Sequence, residues 1–370
     1  MRALHSESEF YSPTYEVARQ RFREAALAVH AQIDTYSVDA VGPSDEDLTI
    51  DVAWIGAREP THTVVVTSGL HGVEGFFGSA VQLSWLRELA TGDIDVLPRT
   101  TVVLVHAVNP FGFAWHRRPN EQNVDLNRNF LDTDAGEVYS GTPEHYERVH
   151  RFLNPPTPPS RLALAAFRLR SAWVVARYGM PALRTAVSTG QYKHPNGLFF
   201  GGDAPSRSTC LVQDRFWAWT RDAGDVVHLD LHTGLGTFAD YQLFVEPPHA
   251  SYLEWYRTYF DRDRVVSVAD GGVYAARGVM GTWLARGAEA CRYRFVCVEF
   301  GTHSEVRVLA ALRAENRVHH YAQVDSQAYT AAKQELMECF CPRNRLWREK
   351  AIERAVQVVC QAMKAVSRIG

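Results

Sequence analysis

The chain has 370 residues, of which 46% are hydrophobic and 22% are charged, so it can bury a large core and is not disordered as a whole. Its 39 basic and 42 acidic residues give a net charge of −3, without the basic excess typical of proteins that bind nucleic acids. The sequence contains no apolar stretch of about 18 residues that would span a membrane, and its N-terminus lacks the apolar segment of a secretory signal. Six cysteines are too few for a disulfide scaffold, so we expect reduced thiols and a cytoplasmic location.

Predicted helices and strands alternate in the first third of the chain. Ser12, Pro13 and Glu16 are residue types that begin a helix, which should run to about Gln32. Residues 48–55 alternate weakly, and residues 63–68 and 101–108 are short apolar runs, so we predict three strands. Helical spacing over residues 74–89 places a helix between the last two strands. This order favours a parallel sheet.

The middle of the chain departs from this pattern. Prolines mark a loop over residues 155–159, and residues 161–178 have the spacing of an amphipathic helix. We therefore expect residues 132–223 to form an insertion-like excursion that packs on the main sheet. Strand patterns return at residues 225–231, 241–245 and 292–300, and residues 305–370 should be helical, with a last helix that begins at Pro342. We predict one α/β domain over residues 1–370, with a mainly parallel mixed sheet and helices on both faces.

A histidine and a glutamate lie where the predicted strand 63–68 leads into a helix. His71 and Glu74 are three residues apart, so both can face one point from the first helical turn. His232 ends a later predicted strand, and ligands bind at the carboxyl edge of such a sheet. Imidazole and carboxylate ligands suit a catalytic zinc, which takes three protein ligands and keeps one open position. Cobalt, nickel and manganese are also compatible with these ligands.

Two further residues share the strand face of His232, because side chains alternate along a strand. We interpret His228 as a buried core histidine, with a supporting role beside a metal ligand as the alternative. We also consider that Asp230 orients His232 through a hydrogen bond, which histidines bound to zinc usually require.

Charged residues that could act on a substrate occur in two other segments. Arg128, next to Asn127, offers a fork of donors that matches a carboxylate. Either Arg117 or Arg118 could stabilise an oxyanion, and we favour Arg118, with a surface salt bridge as the alternative for each. Glu299 ends an apolar strand, where a carboxylate is costly unless it has a partner or a task. It could accept a proton from water near a metal, or instead cap the next helix or form a salt bridge.

The combined motifs resemble those of the zinc carboxypeptidases of the carboxypeptidase A type. They are HGVE (71–74), NPFGF (109–113), DLNRNF (125–130), LDLHT (229–233) and VEFGT (298–302), in the family's order. HGVE and DLNR also look like the aspartoacylase and succinylglutamate desuccinylase branch. The resemblance implies a three-layer sandwich and one Zn²⁺ per chain, bound by His71, Glu74 and His232.

The resemblance also implies roles for residues around the metal. Glu299 would be general base and then acid, and Arg118 would stabilise the oxyanion. Asn127 and Arg128 would hold a substrate carboxylate. Tyr274 is a candidate for the family's mobile substrate tyrosine, with an ordinary loop aromatic as the alternative.

These features favour a zinc-dependent hydrolase that cleaves an amide bond next to a free carboxylate, most simply a carboxypeptidase-type metallopeptidase acting on small peptides. The alternatives are an N-acyl amino acid deacylase, an esterase or other hydrolase with the same metal, and a non-catalytic binding protein. We expect no nucleic-acid or membrane partner, and the sequence carries no signal for an oligomeric state.

Overall fold

A mixed sheet forms the centre of the computed structural model, which describes residues 7–159, 167, 169–173, 176–177, 179, 189–269 and 276–369. Within these residues the sheet has eight strands, β1 (Gln32–Val41), β2 (Asp47–Gly56), β3 (His62–Ser68), β4 (Thr100–His106), β5 (Asp225–Gly234), β6 (Tyr241–Val245), β7 (Val265–Ser267) and β8 (Arg292–Gly301). Their order across the sheet is β1-β2-β4-β3-β5-β8-β6-β7.

The four central strands, β4, β3, β5 and β8, run parallel to one another. Strands β1, β2 and β6 are antiparallel to their inner neighbours, and β7 is parallel to β6. Four of the seven neighbouring pairs are thus parallel, which confirms the predicted mainly parallel mixed sheet. Strand β5 is buried along its whole length, as a central parallel strand covered on both faces should be.

Helices cover both faces of this sheet, as predicted. They are α1 (Tyr15–Ala28), α2 (Gly75–Thr91), α3 (Pro110–Ala114), α4 (Glu144–Leu153), α5 (Arg207–Trp219), α6 (Leu253–Tyr259), α7 (Met280–Arg286), α8 (Glu305–Tyr321), α9 (Gln327–Phe340) and α10 (Arg345–Ala365). Phe77 of α2 and Trp347 of α10 lie in the core of one face, and Phe216 of α5 and Met280 of α7 lie in the core of the other. The sheet is therefore the middle of three layers.

The predicted ends of two helices differ from those in the structure. The first helix is capped by Thr14 and ends at Ala28, because Gln32 already belongs to β1. The last helix does not begin at Pro342, because the side chain of Asn344 accepts a hydrogen bond from a backbone N–H of the first turn and caps the helix.

The predicted excursion contains α4 and α5 among its described residues. Helix α4 buries Tyr146, Val149 and Leu153 in a small apolar cluster that also contains Val73 and part of α8. The amphipathic helix predicted over residues 161–178 lies largely outside the described residues. Within the part of the chain that the structure describes, no helix is long and apolar enough to cross a membrane.

Candidate metal centre and active site

The turn after β3 is shaped by two glycines. Gly69 has a positive φ of 63°, which residues with a side chain rarely adopt. A Cβ on Gly72 would lie 2.0 Å from the backbone of Gly112, so only glycine lets this turn lie against α3. The turn consequently holds His71 and Glu74 at the carboxyl end of β3, beside His232 at the end of the neighbouring β5.

Three predicted residues converge at this edge of the sheet. Nδ1 of His71 lies 2.9 Å from Oε1 of Glu74, and Nδ1 of His232 lies 2.9 Å from Oε2 of the same carboxylate. The two Nδ1 atoms are 3.2 Å apart. All three side chains are buried and form a group that could hold a metal ion.

The electrostatics of this cluster favour a positive charge at its centre. Burial opposes ionisation of Glu74, yet His71 and His232 lower the pKa of its carboxyl to about 2. Burial also opposes a charged His232, yet Asp230 and Glu74 raise the pKa of that ring well above its usual value. Glu74 is therefore ionised, which is the form in which a carboxylate binds a metal ion.

The donor set also fits a metal ion geometrically. Zinc bonds of about 2.0–2.2 Å in a tetrahedron place neighbouring ligand atoms about 3.3–3.5 Å apart. The observed separations of 2.9–3.2 Å are close to that spacing. Two imidazoles and one carboxylate leave a fourth position open, which is the arrangement of a catalytic site and not of a closed structural one.

Each histidine of the cluster has a buried aspartate behind it. Oδ2 of Asp230 lies 2.6 Å from Nε2 of His232, and the hydroxyl of Thr67 donates to the other oxygen of Asp230 at 2.6 Å. Oδ1 of Asp125 lies 3.3 Å from Nε2 of His71. Such carboxylates fix the orientation of metal-binding rings and make them more basic. The hydrogen bond considered for Asp230 is therefore present.

His228 lies on the same strand face as His232, but its hydrogen-bond partners are outside the cluster. Its Nε2 lies 2.9 Å from the hydroxyl of Thr67, and its Nδ1 lies 2.7 Å from that of Tyr293. Burial lowers the pKa of His228 to about 4. It is a neutral, hydrogen-bonded core histidine, which agrees with the interpretation that the sequence favoured.

The two consecutive arginines point in different directions. Nη2 of Arg118 lies 2.7 Å from Nε2 of His71, and its Nη1 lies 3.5 Å from Oε1 of Glu74. Arg117 is fully buried and pairs with Glu315 on α8 at 2.8 Å. The structure therefore brings Arg118, and not Arg117, to the cluster.

Glu299 faces the cluster from the next strand. It is directly paired with His232 in the register of β5 and β8, and its carboxylate accepts a hydrogen bond from the backbone N–H of Leu235 at 2.7 Å. Burial and the charge of Glu74 raise the pKa of Glu299 to about 7. The next helix, α8, is preceded by Ser304, so Glu299 does not cap it. A carboxylate with a near-neutral pKa suits a general base.

Asn127 and Arg128 lie on a short turn beside these residues. Oδ1 of Asn127 accepts from the backbone N–H of Met280 at 3.3 Å, and Nη1 of Arg128 donates to the carbonyl of Asn127 at 2.7 Å. Nε of Arg128 is buried without a hydrogen-bond partner among the described residues. Guanidinium N–H groups bind anionic oxygens through charge-assisted hydrogen bonds. Tyr274 lies outside the described residues.

Two acids near the site were not singled out from the sequence. Asp125 accepts hydrogen bonds from Nε of Arg118 at 2.9 Å and from the backbone N–H of Asn127 at 3.1 Å, so it links the two segments that carry Arg118 and Arg128. Its place in the DLNR motif was a usable signal. Glu246 directly follows β6 and accepts from the hydroxyl of Thr282 at 3.1 Å. Burial raises the pKa of Glu246, and its charge is felt by the nearby Arg128.

The chain matches, over residues 11–354, the family described as "Protein of unknown function (DUF2817)". The comparison with curated proteins gave no match. Among solved structures it is similar to carboxypeptidase A from Helicoverpa armigera, at 14% identity over 96% of this chain and 77% of the other, with a TM-score of 0.47. It is also similar to bovine thrombin-activatable fibrinolysis inhibitor in complex with tick carboxypeptidase inhibitor, at 13% identity over 98% of each chain, with a TM-score of 0.49.

A third similar structure is a protein from Shewanella frigidimarina NCIMB 400 that is provisionally assigned as a succinylglutamate desuccinylase/aspartoacylase. The identity is 17% over 78% of this chain and 70% of the other, and the TM-score is 0.36. A functional assignment rests on the side chains of the site.

Proposed function

The chain belongs to the DUF2817 family of unknown function, and we propose that it is a zinc-dependent hydrolase that cleaves an amide bond next to a free carboxylate, as a carboxypeptidase-type metallopeptidase does. The observation that carries this proposal is the position of Glu299, paired across the sheet with His232, one of three clustered donor residues. A metal site with an open position does not by itself identify the reaction. A metal site beside a buried carboxylate base suits hydrolysis.

The residues of the site divide the work of hydrolysis. His71, Glu74 and His232 would hold zinc, which supplies a Lewis acid for the carbonyl and lowers the pKa of water. Glu299 would take a proton from the attacking water and later pass it to the leaving amine. Arg118, whose guanidinium reaches the cluster, would stabilise the oxyanion as it forms.

Arg128 supports the choice of substrate. Its buried, unpartnered Nε and the neighbouring Asn127 can bind a carboxylate through the forked geometry that lysine lacks. A carboxylate held there places the scissile bond beside the last residue of a peptide. The amide of an N-acyl amino acid has the same arrangement of groups, so experiment must separate the two substrates.

The test combines metal analysis with matched substrates. We expect about one zinc per chain by mass spectrometry, as the three-ligand site implies, and release of the last residue from short peptides with a free C-terminus but not from their amidated forms. Glu299→Gln should keep zinc and lose about 10²–10⁴-fold in turnover. Glu289→Gln, at an exposed glutamate, is the control and should behave as wild type.

Each other outcome has a defined meaning. A metal-supplemented, folded protein without bound zinc would refute the proposal. Equal cleavage of amidated peptides would remove the role of Arg128 as the carboxylate receptor. Cleavage of N-acyl amino acids alone would identify a deacylase that uses the same residues.

A further inference from the structure

A second cluster of buried charge lies behind the site, outside the residues assigned above. It consists of Arg117, Glu315 on α8 and Lys333 on α9. Nε of Arg117 donates to Oε1 of Glu315 at 2.8 Å, and Nζ of Lys333 donates to the same oxygen at 2.7 Å. All three side chains are buried, so two cations share one acid inside the protein.

Burying these three charges costs desolvation free energy. Replacing a buried ion pair by apolar residues is often neutral or stabilising, because desolvation of the charges cancels their attraction. Nη1 of Arg117 also lacks a hydrogen-bond partner among the described residues, at a cost of about 1–3 kcal/mol. Stability alone therefore does not account for the cluster.

The backbone beside Arg117 points to another role. The carbonyl of Arg117 accepts a hydrogen bond from the N–H of Val73 at 2.8 Å, and the carbonyl of Arg118 accepts from the N–H of Gly72 at 3.1 Å. Gly72 and Val73 are the two residues between the donor residues of the metal-binding turn. The peptide that carries Arg118 is thus bonded directly to that turn.

The buried cluster also holds the loop on either side of Arg118. Nζ of Lys333 donates to the carbonyl of Trp115 at 2.8 Å, and Nη2 of Arg117 donates to Oδ1 of Asn123 at 2.9 Å. Helices α8 and α9, which supply Glu315 and Lys333, therefore anchor the loop at Arg117 and Trp115, and Arg117 in turn holds Asn123 on the other side of Arg118.

We propose that Arg117, Glu315 and Lys333 are positioning residues, which hold Arg118 and the metal-binding turn in place from behind. This inference rests on the proposed function for its kinetic test. Loss of the anchor would move Arg118 relative to the reacting carbonyl, and a displacement of about 1 Å is enough to cost about 10²-fold in rate. Binding of the substrate carboxylate depends on another turn, so kcat should fall while KM changes little.

The experiment removes the charges without leaving one unpaired. Single variants such as Glu315→Leu leave buried cations without an acid and lose about 3–5 kcal/mol of stability, so they are poor probes. The triple variant Arg117→Met, Glu315→Leu, Lys333→Met leaves no charge in the cluster. We expect it to fold with near wild-type stability and to lose about 10²-fold in kcat, with KM within about threefold. Arg117→Lys, which keeps the charge without the fork, should retain more activity than the triple variant.

A second readout does not require turnover. Cobalt(II) bound to the metal-free protein reports ligand geometry through its visible spectrum and dissociation constant. In the triple variant we expect a changed spectrum and about tenfold weaker binding, the smaller effect of an outer partner on a metal site. The control is Arg23→Met with Asp51→Leu, which removes a partly buried ion pair between α1 and β2 and should change stability without changing kcat or cobalt binding.

The possible results separate the two proposals. A triple variant with wild-type kcat and an unchanged cobalt spectrum would show that the cluster only contributes to stability, and would overturn the inference. A wild-type protein without turnover would refute the proposed function. The inference would then be tested by cobalt binding to the triple variant alone.

Discussion

The hydrogen bond between Asp230 and His232 allows a quantitative test of the metal centre. Asp230→Asn keeps the size of the side chain and can keep a hydrogen bond to Nε2 of His232, but it removes the negative charge. The contact is 2.6 Å long, and both residues are buried. The substitution therefore tests how much the negative charge of Asp230 strengthens metal binding by His232, and it should disturb packing little.

The magnitude follows from the role of such outer carboxylates. Their loss typically weakens metal binding by about 10–100-fold, which is about 1.4–2.8 kcal/mol. The short contact and the absence of solvent screening around Asp230 place the effect near the upper end. We expect the dissociation constant of zinc to be about 100-fold higher for Asp230→Asn than for the wild type.

The assay is competition for zinc with a coloured chelator at neutral pH, together with unfolding in urea. Asp51→Asn is the matched control, because Asp51 is an equally buried acid on another strand, β2, where it pairs with Arg23 of α1. It should lose stability and keep its zinc affinity. A folded Asp230→Asn protein with wild-type zinc affinity would refute the reasoning that His232 is a metal ligand held by Asp230.

Three other substitutions test different parts of the structure. Arg128→Lys should lower kcat/KM for peptides with a free C-terminus by about 10–100-fold, because a charged hydrogen bond is worth about 1.5–3 kcal/mol; unchanged kinetics would remove Arg128 from the site. Burial lowers the pKa of His106 to about 4, so its neutral ring supports folding above its unfolded pKa near 6.5, and this support is lost as the pH falls from there towards 4. When the pH falls from 7 to 5, the free energy of unfolding of the wild type should therefore decrease by about 2 kcal/mol more than that of His106→Leu, as measured by urea unfolding. Equal decreases would contradict this account. Trp347→Ala removes a fully buried ring whose Nε1 donates to the carbonyl of Gly301, and it should lower the free energy of unfolding by about 3–5 kcal/mol; a loss below about 1 kcal/mol would show that α10 adds little to the core.

The donor residues were predictable because their signal is local. His71, Glu74 and His232 each follow a short apolar strand, and the carboxyl ends of parallel strands meet at one edge. Glu299 was predictable for a related reason, since a carboxylate at the end of an apolar run needs a task. The sequence could therefore predict the residues whose positions depend on the ends of strands and on the order of the motifs.

Features that depend on distant pairing could not be predicted. Arg117 and Arg118 are adjacent and chemically identical, and only the buried partner of Arg117 on α8, almost 200 residues later, separates them. Strand β1 is mostly exposed, with Val38 as its buried residue, so it lacks an apolar pattern. Glu246 follows β6, whose Gln242 is paired with Glu299, so its position near the site depends on the pairing of β6 with β8. The role of Tyr274 stays a prediction.

The pairing of His232 with Glu299 separates the chemistry of this protein from its choice of substrate. Backbone hydrogen bonds between β5 and β8 fix the spacing of His232 and Glu299, and a slip of one residue would turn every side chain of a strand to the opposite face. Loops that carry none of the residues of the site do not set this spacing and are free to change in length and composition. Directed evolution of new specificities should therefore accept mutations in the loops readily and reject insertions within either strand.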